Sequence, residues 1–310
     1  MRKVFKKIAL FASVFALALT LGACNDKTDL QVVEKQVVVF DKKPALWLVK
    51  DEDTNVYLFG TVHVLKPETR WKNPKFELAF AKSDVVYQEA DVSEGVQRVL
   101  AQLVTTLGLY SDGGNLFELL DDAQEKEVLE AAEIVGLPKE ALSRMKPWFA
   151  AIGLTQMHMV KSGYSVDSGV EAIITAKAKE AHKAIRYLET AEQQLRFLAE
   201  LPLHSQVEFL VSGSEAIEDT PDMLDDLVED WAEGDVAGIA EMISDVDNMG
   251  DRIVYNAMLV NRNQNWARQI QKLMDDEAGT FFIAVGAAHL AGDDSVIVLL
   301  RDQGETVVRQ

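Results

Sequence analysis

Four short apolar runs, spread over a chain of 310 residues, each stop at a histidine or a glutamate, and this limits the possible folds more than any other feature. Residues 55–59 lead to His63, 84–88 to Glu89, 184–188 to Glu189 and 281–285 to His289. Each run has the length and the Val, Ile, Tyr or Phe content of a strand. Segments of helical periodicity separate them, so parallel pairing would gather the four polar residues on one edge. That edge, beyond the carboxyl ends of the strands, is where open α/β sheets build their sites. Two of the exits are the tetrapeptides Gly60-Thr-Val-His63 and Gly286-Ala-Ala-His289, whose glycines permit a tight turn out of the strand. With 18 glycines and 5 histidines, about 0.3 such tetrapeptides are expected by chance. The signal therefore lies in their position after strong strands, and in the two carboxylates at further strand ends.

The rest of the mature chain fits around that sheet. Residues 45–49 and 55–59, separated by Lys50-Asp-Glu-Asp-Thr54, predict a β-hairpin. A short helix is expected over 73–82. From residue 96 to about 213 the pattern is mostly helical: Val96, Val99, Leu100, Leu103, Val104 and Leu107 make one apolar face. Residues 124–135 predict a helix closed by Gly136-Leu-Pro138, 148–160 a buried helix, and 169–183 an alanine-rich helix. A helix or pair broken at Pro202 follows, then an acidic helical face between 215 and 247, a helix over 252–273, another over 294–302, and a last strand at 306–309. The expected fold class is α/β, one continuous domain over 44–310. It has a central, mostly parallel or mixed sheet flanked by helices, and a largely helical middle segment.

Ahead of the domain, Met1-Arg-Lys-Val-Phe-Lys-Lys7 and an uncharged apolar stretch to Gly22 read as an export signal. That stretch is shorter than the roughly 20 residues needed to span a bilayer. Leu21-Gly22-Ala23-Cys24 resembles a bacterial lipobox, with Cys24 the lipidated first residue after a signal over 1–23 and a polar tether over 24–43. This predicts a bacterial protein held at the extracytoplasmic face of the inner or outer membrane. Cys24 is the sole cysteine, which rules out an intramolecular disulfide or an all-cysteine zinc site. Acidic residues outnumber basic ones 50 to 31, for a formal charge of −19, and a free nucleic acid would be repelled.

Imidazole and carboxylate ligands suit zinc, manganese or iron, and two or three protein ligands leave a position open for water. The competing reading of His63 and His289 is a pair of core histidines bonded to backbone. His158 sits in Met157-His-Met159 and reads as packed, His182 as a helix-end residue, His204 as loop or surface. No His-Glu-x-x-His, Gly-x-Ser-x-Gly or phosphate-binding glycine loop occurs, which argues against common zincins, α/β serine hydrolases and P-loop enzymes.

With these residues in hand, the chain resembles the TraB/GumN family, which includes the TIKI proteases. The resemblance runs from about Ala45 to the C-terminus. It rests on Ala45-Leu-Trp47, Tyr57-Leu-Phe-Gly-Thr-Val-His63, Glu89, Lys146-Pro-Trp148, Leu188-Glu-Thr190 with Glu192 and Gln193, Asn261-Arg-Asn263 with Trp266, and Val285-Gly-Ala-Ala-His-Leu290. One departure is Glu171 in Gly169-Val-Glu171, where the family usually has aspartate. The resemblance implies a fold like the erythromycin esterase and ChaN group, and a hydrolase-like site made of His63, Glu89, Arg262 and His289. Through the TIKI branch it also implies metal-dependent proteolysis supported by manganese or cobalt, so that, with the zinc such ligands suit, the expected cofactor is manganese, cobalt or zinc. On that footing His63 and His289 would hold the cation, with Glu89 as third ligand or as base on its water. Arg262 would bind a substrate carboxylate or an oxyanion, and Glu189 and Asn263 would orient the ligating imidazoles. Two rivals stay open: a metal-free esterase-like hydrolase in which a histidine and Glu89 activate water, and a non-catalytic envelope protein that binds a peptide or signal. The expected partners are the membrane, through Cys24, and a peptide or other small substrate.

Overall fold

The computed structural model describes residues 42–111, 113–244 and 251–310; the signal, Cys24 and the tether up to residue 41 lie outside them. The expected hairpin is formed by β1 (Leu46–Lys50) and β2 (Thr54–Thr61). Its turn is held by Asp51, whose carboxylate accepts from the amides of Asp53 and Thr54 at 3.1 and 2.7 Å. α1 (Pro74–Lys82) begins where Asn73 caps the Lys75 and Phe76 amides and a proline occupies the first turn, and it leads into β3 (Val85–Gln88). The helical middle comprises α2 (Glu94–Gly108), α3 (Asp122–Val135), α4 (Lys139–Leu142), α5 (Pro147–Lys161) and α6 (Val170–Glu180). α3 ends on Gly136 at φ 79°, the left-handed stop that its sequence predicts.

After β4 (Ala184–Tyr187), α7 (Ala191–Ala199) and α8 (Leu203–Glu215) flank Pro202, so His204, expected in a loop or at the surface, lies exposed in a first helical turn. α9 (Thr220–Glu233) and α10 (Val236–Ser244) carry most of the acidic segment, whose end over 245–247 lies outside the described residues; Met223, Leu227 and Trp231 are buried on α9, as their helical spacing predicts. The helix expected over 252–273 is interrupted: α11 (Arg252–Tyr255) and α12 (Asn261–Asp276) are joined by a π-helical turn over Asn256–Val260. β5 (Gly279–Gly286), α13 (Val296–Asp302) and β6 (Val307–Arg309) complete the chain.

The sheet runs β4-β3-β5-β2-β1-β6. β4, β3, β5 and β2 are mutually parallel, while β1 is antiparallel to both β2 and β6, so the sheet is mixed. β2 and β5 are covered on both faces, which is why they read as unbroken apolar runs. On one face Phe59, Trp71, Phe76, Phe80 and Phe282 form an aromatic cluster with centroids 4.8–5.9 Å apart. On the other, Leu58 and Ile283 pack with Trp266 and Ile270 of α12 and Leu300 of α13. β4 is an outer strand and alternates between exposed and half-buried residues instead of being fully covered. Among the described residues no helix is long and apolar enough to cross a membrane.

Candidate functional site

The parallel register delivers the four strand-end residues to one edge. The β3–β4 ladder continues past both strands, through Leu188 N–H to Gln88 O at 3.0 Å and Glu189 N–H to Glu89 O at 2.9 Å. Glu89 and Glu189 are thereby locked as direct neighbours, two like charges that a buried site tolerates only with a counter-charge. Arg262, on the first turn of α12, supplies it. Its Nη2 donates to Glu89 Oε2 at 2.6 Å and to Glu189 Oε1 at 2.5 Å, and its Nε donates to Glu189 Oε1 at 3.0 Å. Nη1 donates to the Met258 carbonyl and to His289 Nε2, both at 3.1 Å. All five N–H groups of the guanidinium are thus committed to the protein. Arg262 has none left for a substrate carboxylate in this arrangement, and it acts as the pin of the cluster. Gln194, buried on α7, adds donors to Glu189 Oε1 at 2.8 Å and Glu89 Oε2 at 3.2 Å.

His289 is neutral and fixed in one tautomer. The Asn263 amide donates to the Asp294 carbonyl at 2.8 Å, which turns its Oδ1 toward His289 Nδ1 at 2.6 Å. Nδ1 therefore carries the proton, and Nε2 accepts from the guanidinium. Burial first, and then the Arg262 charge, hold this imidazole well below its ordinary pKa. Its ring leans on Trp266, 4.4 Å between centroids. Asn263 thus orients the His289 ring, whereas Glu189 does not reach either histidine, because Arg262 stands between.

His63 is held differently. Gly169 lies against the turn after β2, and the Val170 amide donates to the Val62 carbonyl at 3.0 Å. A Cβ on Gly169 would fall 2.0 Å from the His63 carbonyl oxygen, so only glycine allows this contact. The contact brings Glu171, in the first turn of α6, to His63 Nδ1 at 2.8 Å, with the Thr61 hydroxyl donating to the same carboxylate oxygen. The helix N-terminus also favours the Glu171 charge. Burial alone would push His63 down. Glu171, through its charge and its hydrogen bond, outweighs that with help from Glu89, and His63 is held above the usual imidazole value. Burial likewise opposes ionisation of Glu171 and Glu89. The His63 charge and hydrogen bond overcome it at Glu171, and Arg262 does so at Glu89, so both carboxyls sit below their ordinary range. Glu189 goes the other way, since burial and the neighbouring Glu89 outweigh Arg262.

The free side of His63 faces the same small space as the rest of the cluster. A Cβ built on Gly286 would stand 3.3 Å from Glu89 Oε1, 3.5 Å from His289 Cδ2 and 3.7 Å from His63 Nε2. Glu89 Oε1 also accepts the Gly286 amide at 2.7 Å. Neither candidate histidine is a core residue bonded to backbone, since both are partnered by side chains.

This donor set does not fit a three-ligand cation site as it stands. His289 Nε2 lies 3.9 Å from Glu89 Oε1, but its lone pair already faces the Arg262 guanidinium. His63 Nε2 and Glu89 Oε1 remain, and a cation there would sit close to a buried positive charge. The arrangement suits proton transfer instead: an imidazole anchored by a carboxylate on one nitrogen, with its other nitrogen open beside Glu89.

Two contributors went unassigned in the sequence, and both carry a signal. Glu171, half-buried, stands at helical spacing from the buried Ile174 and Ala178 of α6, and Gln194 lies on the buried stripe of α7 with Ala191 and Leu198. A polar side chain at a core-facing helical position must meet a partner, and here each does. His158, by contrast, has both ring nitrogens buried without a partner, in keeping with a packed residue.

A model of the TraB/PrgY/gumN family matches residues 45–309. Curated relatives include the uncharacterized protein YbaP of Escherichia coli (strain K12) and its counterpart from Shigella flexneri. Each is 21% identical over 270 residues, covering 83% of this chain and 92% of theirs. No solved structure matches.

Proposed function

The chain belongs to the TraB/PrgY/gumN family, and from that premise we propose that it is an envelope hydrolase, anchored through lipidated Cys24, that cleaves a peptide or ester bond by general base catalysis. The observation that carries this reading is the pairing of His63 Nδ1 with Glu171 at 2.8 Å, which leaves Nε2 open above Gly286. Glu171 fixes the ring and favours its protonated form. Nε2 takes a proton from water as the oxygen attacks the carbonyl carbon, and returns it to the leaving group. Such a base contributes on the order of 10²–10⁴-fold. Glu89, kept ionised by Arg262, faces the same space and stabilises the imidazolium as it forms. Arg262, Glu189, Gln194 and Asn263 hold this geometry without contacting substrate.

A second reading is supported by the excess of carboxylates around one guanidinium. In it His63, Glu89 and His289 would hold manganese, cobalt or zinc, which would require His289 to be free of Arg262, and the cation would supply a water of lowered pKa. The deciding experiment incubates the chelated full chain with peptide and ester libraries, with and without these metals. Turnover without metal supports the base mechanism. Turnover only on metal addition, with stoichiometric binding, favours the second reading. No turnover under either condition contradicts both and leaves a binding protein.

A further inference from the structure

In a chain of net charge −19, eight of the 31 lysines and arginines fall in residues 66–83 and 177–183, against only three acids. These segments are neighbours in space. Lys177 Nζ meets Glu77 Oε2 at 2.7 Å, and Lys183 Nζ reaches back to the Ala81 carbonyl at 3.4 Å. Lys66 is engaged by Asp225 and Lys177 by Glu77, but Arg70, Lys72, Lys75, Lys82 and Lys179 are exposed and make no ion pair among the described residues. Lys75, Leu78 and Lys82 share the outer face of α1 at helical spacing, and Leu78 stands 57% exposed between the lysines. A cationic face with an apolar side chain at its centre matches a phospholipid surface, where each cation gains from the headgroup charge and the leucine from the acyl boundary.

The root of the N-terminal segment lies at the same place. The Asn73 side chain, which caps α1, donates to the Lys42 carbonyl at 3.3 Å. From Lys42 back to Cys24 there are eighteen residues, which span at most about 65 Å, so an anchor at Cys24 keeps this face within reach of the bilayer. We infer that the outer face of α1 and the end of α6 docks on the anionic headgroups of the membrane that holds the anchor. The inference builds on the anchoring of Cys24 and is independent of the hydrolytic chemistry. α9 borders the face through the Lys66–Asp225 pair and carries acids that an anionic surface repels, so the docked pose is set by the α1–α6 side.

The test places the full chain, isolated with its acyl groups, on vesicles of phosphatidylcholine alone or with one-third phosphatidylglycerol. It reads flotation together with amine labelling of single lysines. Labelling of Lys72, Lys75, Lys82 and Lys179 should fall at least about threefold on the anionic vesicles relative to Lys126 and Lys272, and recover at high salt, as a screened interaction must. Lys75→Glu with Lys179→Glu should abolish the difference while thermal stability stays unchanged. A chain that floats with both vesicle types but labels identically on each overturns the docking face and leaves the anchor standing. Flotation with neither overturns both, and flotation with anionic vesicles alone supports the face against the anchor. Protection of these lysines by soluble duplex DNA, with none from vesicles, overturns the inference in favour of nucleic acid.

Discussion

Arg262 is the residue on which the site's electrostatics turn. It neutralises two carboxylates that the β3–β4 ladder forces together, and it adds to burial in keeping His289 neutral. Truncating it leaves Glu89 and Glu189 buried and uncompensated, so Arg262→Ala should cost about 3–5 kcal/mol in chemical denaturation. Adding Glu189→Gln should recover part of that loss, because one of the two stranded charges is gone. The histidines pull stability in opposite directions with pH. His289 is held well below 6.5, so the unfolded chain binds a proton there that the fold refuses, and stability falls as pH drops below 6.5. His63 is held above 6.5: its contribution is full below that value and fades as pH rises through its folded pKa. Glu89 and Glu171, depressed from 4.5, contribute above that value and lose their contribution as pH falls through their folded pKa. Denaturation across pH should accordingly show a shallower decline below 6.5 for His289→Asn, and a shallower decline on the alkaline side for His63→Gln.

Elements set the geometry that these residues use, and two of them do so through backbone features. Gly169 packs its Cα against the turn that carries His63, and α6 then presents Glu171. In Gly169→Ala the new methyl must displace the His63 carbonyl, separating imidazole from carboxylate. Turnover should drop by more than tenfold, and the imidazole pKa, followed by NMR, should fall toward its ordinary value. The π-turn over Asn256–Val260 leads straight into α12, two residues before Arg262, and presents the Met258 carbonyl to its Nη1. Such turns add a residue to a helix and re-aim the side chains that follow. Deleting Ala257 would rotate Arg262 by about 100° out of the cluster, and should destabilise the fold about as much as Arg262→Ala. Strand ends were readable because hydrophobic runs stop abruptly at polar residues, and the four that the sequence singles out do meet. The π-turn was not readable, since residues 252–273 keep an ordinary helical period and the extra residue follows from tertiary packing. Glu171 and Gln194 were half-readable, as polar residues on apolar stripes whose partners only the fold identifies.

At the scale of the whole molecule, the sheet joins β1, β2 and β3 from the start of the domain, β4 from its middle and β5 and β6 from its end, and α6, α7 and α12 complete the site, so His63 and His289 meet only once β2 and β5 are paired. The α/β class, the parallel centre and the common edge followed from spacing. The antiparallel β1 and β6 followed only in part, from the hairpin signal. The proposed attachment through Cys24 belongs to this scale too: Cys24→Ser should abolish incorporation of labelled palmitate and release the protein from the membrane fraction, and undiminished labelling would contradict the anchor. The central claim, that His63 oriented by Glu171 is the base, is tested most directly by the pH dependence of kcat/KM in the chelated protein, wild type against His63→Gln and Glu171→Gln. The account requires His63→Gln to lose about 10²-fold or more with its fold intact. It also requires Glu171→Gln to stay folded while the acid limb of its profile moves to lower pH, because the charge that raises the imidazole pKa has been removed. A fully active His63→Gln, or an acid limb that Glu171→Gln leaves in place, would contradict it.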